Sequence, residues 1–216
     1  MHDTTKKLIV TILMTGTISL MGCADINNPT AVFNTGAEVA STEEATTESA
    51  YDTFTAENDC TAFGPMSDGV IIIGGYSCRL GSSTIKDMVS EGWTLENNDI
   101  DDMLPAQSAS EYTMSKDDSS VIVTVQNNYN NALKAAVLPI VGVYEQSDIS
   151  DGLVTINDMP VLNMYEPNFK FAYGDANISY KVKRSTMGAD YYSMGDYTFG
   201  IFYDVDGIIT ELMFSK

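Results

Sequence analysis

Histidine is nearly absent from this 216-residue chain, because the only one is His2. His2 lies in a segment that we expect to be removed during export, which leaves the mature protein with none. Without histidine, Ser-His-Asp catalysis, Cys-His catalysis and histidine metal sites are all excluded. Ser-Lys and paired-carboxylate mechanisms stay open, but 30 acidic residues bring some carboxylates together in any fold. We therefore predict no catalytic residues, no metal and no other cofactor.

Positive charge is also scarce. The chain has 11 lysine and arginine residues against 30 acidic ones, a formal net charge of −19, and no basic residue lies between Lys7 and Arg79. Nucleic-acid binding depends on basic side chains that neutralise phosphates. Anionic membrane surfaces likewise attract basic segments. We expect no nucleic-acid partner, and we expect any membrane association to depend on a lipid.

No apolar run is long enough to span a membrane. The longest, Leu8–Leu20, has 13 residues, whereas a spanning helix needs about 20. It follows Lys6 and Lys7 and ends in small residues, which is the layout of an export signal. We predict a signal peptide over residues 1–22, with a buried N-terminal core helix as the alternative.

The end of this run, Leu20-Met21-Gly22-Cys23, resembles the lipobox of bacterial lipoproteins. The resemblance implies transfer of diacylglycerol to the sulfur of Cys23, followed by cleavage before this residue. Two or more acyl chains anchor a protein stably to a bilayer. The chain is thus expected on the outer face of the cell membrane, with a Gram-positive type of envelope favoured.

Only two cysteines remain after Cys23, namely Cys60 and Cys78. In an exported protein two cysteines at this separation can form a disulfide, which would add about 3 kcal/mol of stability. The alternative is two buried free thiols, and the sequence leaves both open. No CxxC redox or zinc motif is present.

The chain after Cys23 divides by composition. Residues 23–59 are acidic, rich in Ser, Thr, Ala and Glu, and poor in large apolar side chains, so they predict a disordered linker. The folded part then runs from Cys60 to Lys216. A recurring order of strand, glycine-ended helix and antiparallel strands divides it into residues 60–150 and 151–216.

Several elements can be placed locally. Thr84 and Asp87 favour a helix start, and Gly92 favours its stop. A second helix is predicted from about Glu166. The clearest hairpin joins Tyr197–Tyr203 to Ile208–Phe214 through Asp206-Gly207. Its predicted shared faces are Tyr197, Phe199, Ile201 and Tyr203 on one strand, and Ile208, Thr210, Leu212 and Phe214 on the other.

This layout resembles the tandem-repeat α/β lipoproteins, which are similar to β-lactamase-inhibitor protein and to the small outer-membrane-assembly lipoproteins. The resemblance rests on Leu80–Gly92 with Val121–Asn127, and on Phe169–Asn177 with Tyr197–Phe214. It implies an α+β fold of two tandem helix-plus-antiparallel-sheet repeats. It also implies, as a mode of action, that a sheet face binds another protein.

Aromatic residues are concentrated in the second half, where they can form either core or an interface. The interface candidates are Tyr191, Tyr192, Tyr197, Phe199 and Tyr203. Two acidic clusters, Asn97–Asp102 and Asp204–Asp206, lack the spacing of a calcium loop and are interpreted as solvated charge and as a hairpin turn.

Together these observations predict a non-catalytic lipoprotein, anchored through Cys23, whose folded domain binds a protein or peptide. The alternative is a structural or accessory factor in cell-envelope assembly. An enzyme that uses carboxylates is a third hypothesis with no motif to support it.

Overall fold

The clearest local prediction concerns a hairpin, and it is confirmed. The structure is a computed structural model that describes residues 50–96 and 98–216. The strand β14 (Tyr197–Tyr203) pairs antiparallel with β15 (Ile209–Ser215). The carboxylate of Asp204 accepts the backbone N–H groups of Asp206 and Ile208 at 2.9 and 3.0 Å. The turn is therefore closed by a local side chain as well as by Gly207, whose φ is 76°.

The predicted shared face of Ile208, Thr210, Leu212 and Phe214 is wrong at the start of β15. Ile209, Leu212 and Phe214 are buried there, whereas Ile208 and Thr210 are half-exposed. The reason is a register shift between Phe202 and Tyr203, after which Tyr203 pairs with Ile209. Such a bulge adds one residue to a strand and so exchanges the faces of the residues before it.

The main sheet has nine strands, all paired antiparallel. Besides β14 and β15, the strands are β1 (Tyr51–Thr55), β4 (Thr94–Glu96), β6 (Ser108–Lys116), β7 (Ser119–Asn127), β9 (Ile140–Gln146), β12 (Ile178–Val182) and β13 (Gly188–Met194). Their order in the sheet is β1-β12-β13-β14-β15-β9-β7-β6-β4.

Smaller elements complete the fold. The remaining strands are β2 (Val70–Ile73), β3 (Tyr76–Arg79), β5 (Met103–Leu104), β8 (Leu133–Lys134), β10 (Val154–Ile156) and β11 (Met159–Pro160). Four of them form a second sheet in the order β11-β10-β2-β3, and β5 pairs with β8. The helices are α1 (Ile85–Ser90) and α2 (Glu166–Tyr173), with 3-10 segments at Thr61–Asp68 and Ala135–Val137.

The predicted fold class is therefore wrong. The protein is mostly β, and one continuous sheet replaces the expected pair of helix-plus-sheet repeats over residues 60–150 and 151–216. The two halves join where β9 pairs with β15, with Val143 opposite Phe214. The helices are six and eight residues long, too short to cover a sheet of nine strands.

The two predicted helix starts are confirmed. Thr84 forms a full capping box with Asp87, in which the Thr84 side chain accepts the backbone N–H of Asp87 at 3.2 Å. This arrangement satisfies two N–H groups that would otherwise lack partners. Helix α2 begins at Glu166, and Pro167 lies in its first turn, where a missing N–H costs nothing.

The predicted disordered linker is wrong at its C-terminal end. Tyr51–Thr55 forms β1, which pairs with β12 at the edge of the main sheet. All five of its side chains are exposed, so backbone pairing, rather than apolar burial, holds this strand. The predicted signal peptide, Cys23 and the rest of the linker up to residue 49 lie outside the described residues. In the part of the chain that is described, no helix is long and apolar enough to cross a membrane.

One buried cluster unites the sheets and helices, and Phe63 lies at its aromatic centre. Phe63 comes from the first 3-10 segment and is fully buried. Its ring centroid lies 5.0 Å from those of Tyr173 and Tyr192, 5.8 Å from that of Phe199 and 6.0 Å from that of Phe169. A single ring thus connects α2 to buried side chains of β13 and β14.

Cys60 and Cys78 do not form the disulfide that the sequence left open, since both are buried free thiols. The Cys60 thiol faces the backbone oxygen of Asn58 and the side chain of Asn177. Cys78 lies in β3 opposite Ile71. Burial, and then the charge of Asp59, raises the pKa of Cys60, and burial raises the pKa of Cys78 to about 12. Neither is an activated nucleophile, because the reactive form of cysteine is the thiolate.

Candidate binding face

The nine-stranded sheet has two unlike faces. In β13, Asp190, Tyr192 and Met194 are buried while Tyr191 is half-exposed, so alternate residues point to opposite sides. Tyr192 and Met194 belong to one buried cluster with side chains of the described helices and the smaller sheets. We call this side of the nine-stranded sheet the inner face. We call the opposite side of the nine-stranded sheet the open face.

A row of large side chains crosses the open face. We call it the aromatic row, although two members are aliphatic. Register places its members on six neighbouring strands: Tyr180, Tyr191, Phe202, Met213, Tyr144 and Ile122. At about 4.8 Å between strands the row extends about 24 Å. All six side chains are half-exposed or exposed.

Contacts between neighbours hold the row in place. The rings of Tyr180 and Tyr191 meet edge to face with centroids 5.9 Å apart, and so do those of Tyr191 and Phe202. Gly200 lies beneath them, since a Cβ there would be 3.0 Å from Met213 Cγ and 3.2 Å from Tyr191 Cδ1. Burial, and then the neighbouring Tyr180, raises the pKa of Tyr191 to about 12. The three rings thus form a preformed surface made mostly of apolar atoms.

A carboxylate lies beside the row. Tyr144 Oη donates to Glu211 Oε2 at 2.5 Å, and Gln146 Nε2 donates to Glu211 Oε1 at 3.3 Å. Burial, and then the hydrogen bond and charge of Glu211, raises the pKa of Tyr144, so the phenol remains a donor at neutral pH. In residues 50–96 and 98–216 no lysine or arginine forms an ion pair with Glu211.

The predicted interface residues divide between the two faces. Tyr191 lies in the aromatic row. Tyr192, Phe199 and Tyr203 are at most 2% exposed and belong to the core, so they offer no surface to a partner. Tyr197 is half-buried, with its ring tip over Gly69 and the Lys216 ammonium 5.8 Å from its centroid. The structure therefore does not bring these five residues into one surface.

The sequence prediction missed most of the open face. Tyr180, Phe202, Tyr144 and Met213 were not candidates, although Phe202 and Met213 lie within the predicted hairpin. The available signal was the alternation of side chains along a strand: if Tyr191 and Phe202 face outward, the residues paired beside them on neighbouring strands face outward too. The sequence does not specify which set of alternate residues faces outward, because that depends on what covers the other side of the sheet.

A buried ionic cluster on the inner side of the sheet was also missed. Lys170 Nζ lies 2.5 Å from Glu166 Oε1 and 3.0 Å from Asp190 Oδ2, and Asp190 is fully buried. Burial lowers the pKa of Lys170, but Glu166 and Asp190 outweigh it and raise the pKa overall. Burial raises the pKa of Asp190, against the opposing effects of Ser179 and Lys170. These charges join α2 to β13.

The two acidic clusters of the sequence remain apart from the open face. Asp204 closes the β14–β15 turn, as predicted. Asp101 pairs with Lys134 at 2.6 Å, and Asp102 accepts the N–H of Asp99, while Asn97 is outside the described residues. Across the described ranges no group of three or more His, Cys, Asp or Glu side chains could hold a metal ion.

Comparisons with known proteins add little. No family model matches the chain, and no curated protein matches it. Among solved structures, the chain is similar to a cysteine-rich secretory protein from Staphylococcus aureus. The identity is 17%, the match covers 76% of this chain and 50% of that chain, and the TM-score is 0.38. The chain thus spans about half the length of that protein, and a likeness this weak supports no statement about fold or function.

Proposed function

We propose that this chain is an extracytoplasmic lipoprotein, anchored through Cys23, that binds a protein partner on the open face of its nine-stranded sheet without catalysis. The lipobox-like Leu20–Cys23 segment supports the anchor. A domain anchored by lipid on the outer face of the membrane can capture proteins there.

The aromatic row is the observation that carries the binding proposal. Tyrosine and phenylalanine are enriched at protein interfaces because they offer large apolar area with few rotatable bonds. In this row they are already ordered by ring contacts 5.9 Å apart, so binding loses little side-chain freedom. The cluster of Lys170, Glu166 and Asp190 is buried in ion pairs and supports a structural role better than an enzymatic one.

Site-specific photo-cross-linking in intact cells tests the binding proposal. A photoreactive phenylalanine analogue at position 180 or 202 is expected to capture a protein in a discrete band after illumination. The same analogue at Phe171, which lies on α2 and is 95% exposed, is the matched control and should capture none in that band.

Two results would contradict the proposal. One is the absence of any cross-linked band from positions 180 and 202. The other is an equal yield of the same band from position 171, which would indicate non-specific proximity rather than a binding face.

The anchor has a separate test. Cys23→Ala is expected to abolish metabolic labelling with a fatty acid and to release the protein from the membrane fraction, because the cysteine sulfur carries the lipid. Wild type and Ser19→Ala, a change outside the four-residue motif, should both retain the label. A wild-type chain that carries no lipid, together with a Cys23→Ala chain that stays in the membrane fraction, would refute the anchor.

A further inference from the structure

The charges of the open face are all of one sign. Three glutamates occupy open-facing positions: Glu96 in β4, Glu111 in β6 and Glu211 in β15. Their partners in register are Thr113, Thr124 and Gln146. These partners lie on the same face as Ile122 and Tyr144 of the aromatic row. No lysine or arginine occupies an open-facing position of the nine described strands.

The lysines of the main sheet point the other way. Lys116 donates to the Gly74 backbone oxygen at 3.2 Å and lies over Trp93. Lys181 lies 3.9 Å from Glu166 in the ionic cluster. Lys216 lies against Tyr197 and Gly81. An apolar row whose charged neighbours on the described strands are all carboxylates is the complement of a surface that combines apolar and basic groups.

Charge also disfavours other occupants of this face. Residues 50–216 contain nine basic and 24 acidic residues, a net charge of −15, so two copies would repel one another. Residues 24–49 contain five acidic residues and no basic one, so this segment does not complement the face either. An anionic lipid surface is repelled for the same reason.

Resting on the proposed function, we propose that the partner on the open face is a cationic protein segment in which lysine or arginine side chains alternate with apolar ones. The apolar side chains pack on the aromatic row. The cations lie over the ring faces of Tyr180, Tyr191 or Phe202 and pair with Glu211 and Glu111. An extended segment of about seven residues would cover the 24 Å row.

Titration calorimetry on the full chain, purified in detergent micelles, tests this proposal. The probe is the peptide Lys-Ser-Leu-Ser repeated three times, which presents Lys and Leu on one side when extended. A second peptide has Glu in place of Lys. The lysine peptide is expected to bind, with affinity that falls as salt is raised, and the glutamate peptide is not.

Matched variants locate the binding. The double change Glu111→Gln and Glu211→Gln is expected to weaken the lysine peptide about fivefold, the combined effect of two exposed charge pairs. Glu91→Gln with Asp118→Asn removes the same charge outside the open face and should change the affinity less than twofold. Circular dichroism checks that both variants fold.

Equal binding of the two peptides, no binding of the lysine peptide, or equal loss in both double variants would overturn the cationic partner. These outcomes are distinct from failure of the proposed function. If cross-links at positions 180 and 202 persist while charge selectivity is absent, the open face binds a protein of other chemistry. If those cross-links are also absent, the binding face itself is refuted.

Discussion

Replacing Phe63 with alanine is expected to lower the free energy of unfolding by about 4 kcal/mol, in the range for truncating a buried aromatic ring. Phe63 is fully buried and contacts four other rings, from α2, β13 and β14. Its removal leaves a cavity that these elements cannot fill, because each is held by its own backbone pairing. Urea unfolding, followed by far-UV circular dichroism, measures the loss.

The same truncation at Phe171 is the control. That side chain is 95% exposed on α2, so Phe171→Ala should change the free energy of unfolding by less than about 0.5 kcal/mol. A small effect at Phe63, comparable with that at Phe171, would mean that the ring does not connect the 3-10 segment to the sheet.

Replacing Lys170 with methionine is expected to cost about 3 kcal/mol of stability at pH 7, because it leaves buried charge without its partner. Asp190 is fully buried and lies 3.0 Å from the Lys170 ammonium. Methionine preserves much of the side-chain volume, so the loss reflects charge rather than packing. Lys86→Met, on the exposed side of α1, should have little effect.

The pH dependence separates an electrostatic loss from a packing loss. Burial already raises the pKa of Asp190 above its ordinary 3.8, and removal of Lys170 raises it further. A carboxyl with a raised folded pKa destabilises the protein above that pKa, and the penalty shrinks as pH falls towards 3.8. The deficit of Lys170→Met relative to wild type should therefore be smaller at pH 5 than at pH 7. A deficit independent of pH would indicate lost packing instead.

Local elements of this fold were predictable because their causes are local. Thr84 and Asp87 complete a capping box within one turn, and Asp204 closes its turn through backbone groups two and four residues ahead. Composition is equally direct: residues 50–216 contain no histidine, so they offer no histidine side chain for catalysis or metal binding. The lipobox prediction also rests on local sequence, but it lies outside the described residues and stays a prediction.

The fold class was not predictable from these local elements. Both halves carry a helix and antiparallel strands, which suggested two separate repeats. The pairing of Val143 with Phe214 merges them into one sheet. That contact joins residues far apart in the chain, and no local propensity specifies it. For the same reason the sequence did not reveal that Tyr51–Thr55 would extend the sheet edge.

Tyr191 and Tyr192 show which features the sequence determined and which the tertiary structure decided. Their adjacency in a strand determined by itself that they face opposite sides of the sheet. Hydrophobicity cannot say which one is buried, because both are tyrosines. Tertiary structure decided between them, since Lys170 from α2 pairs with the buried Asp190 on one side of the strand and Tyr192 enters the core on that same side, which leaves Tyr191 on the open face.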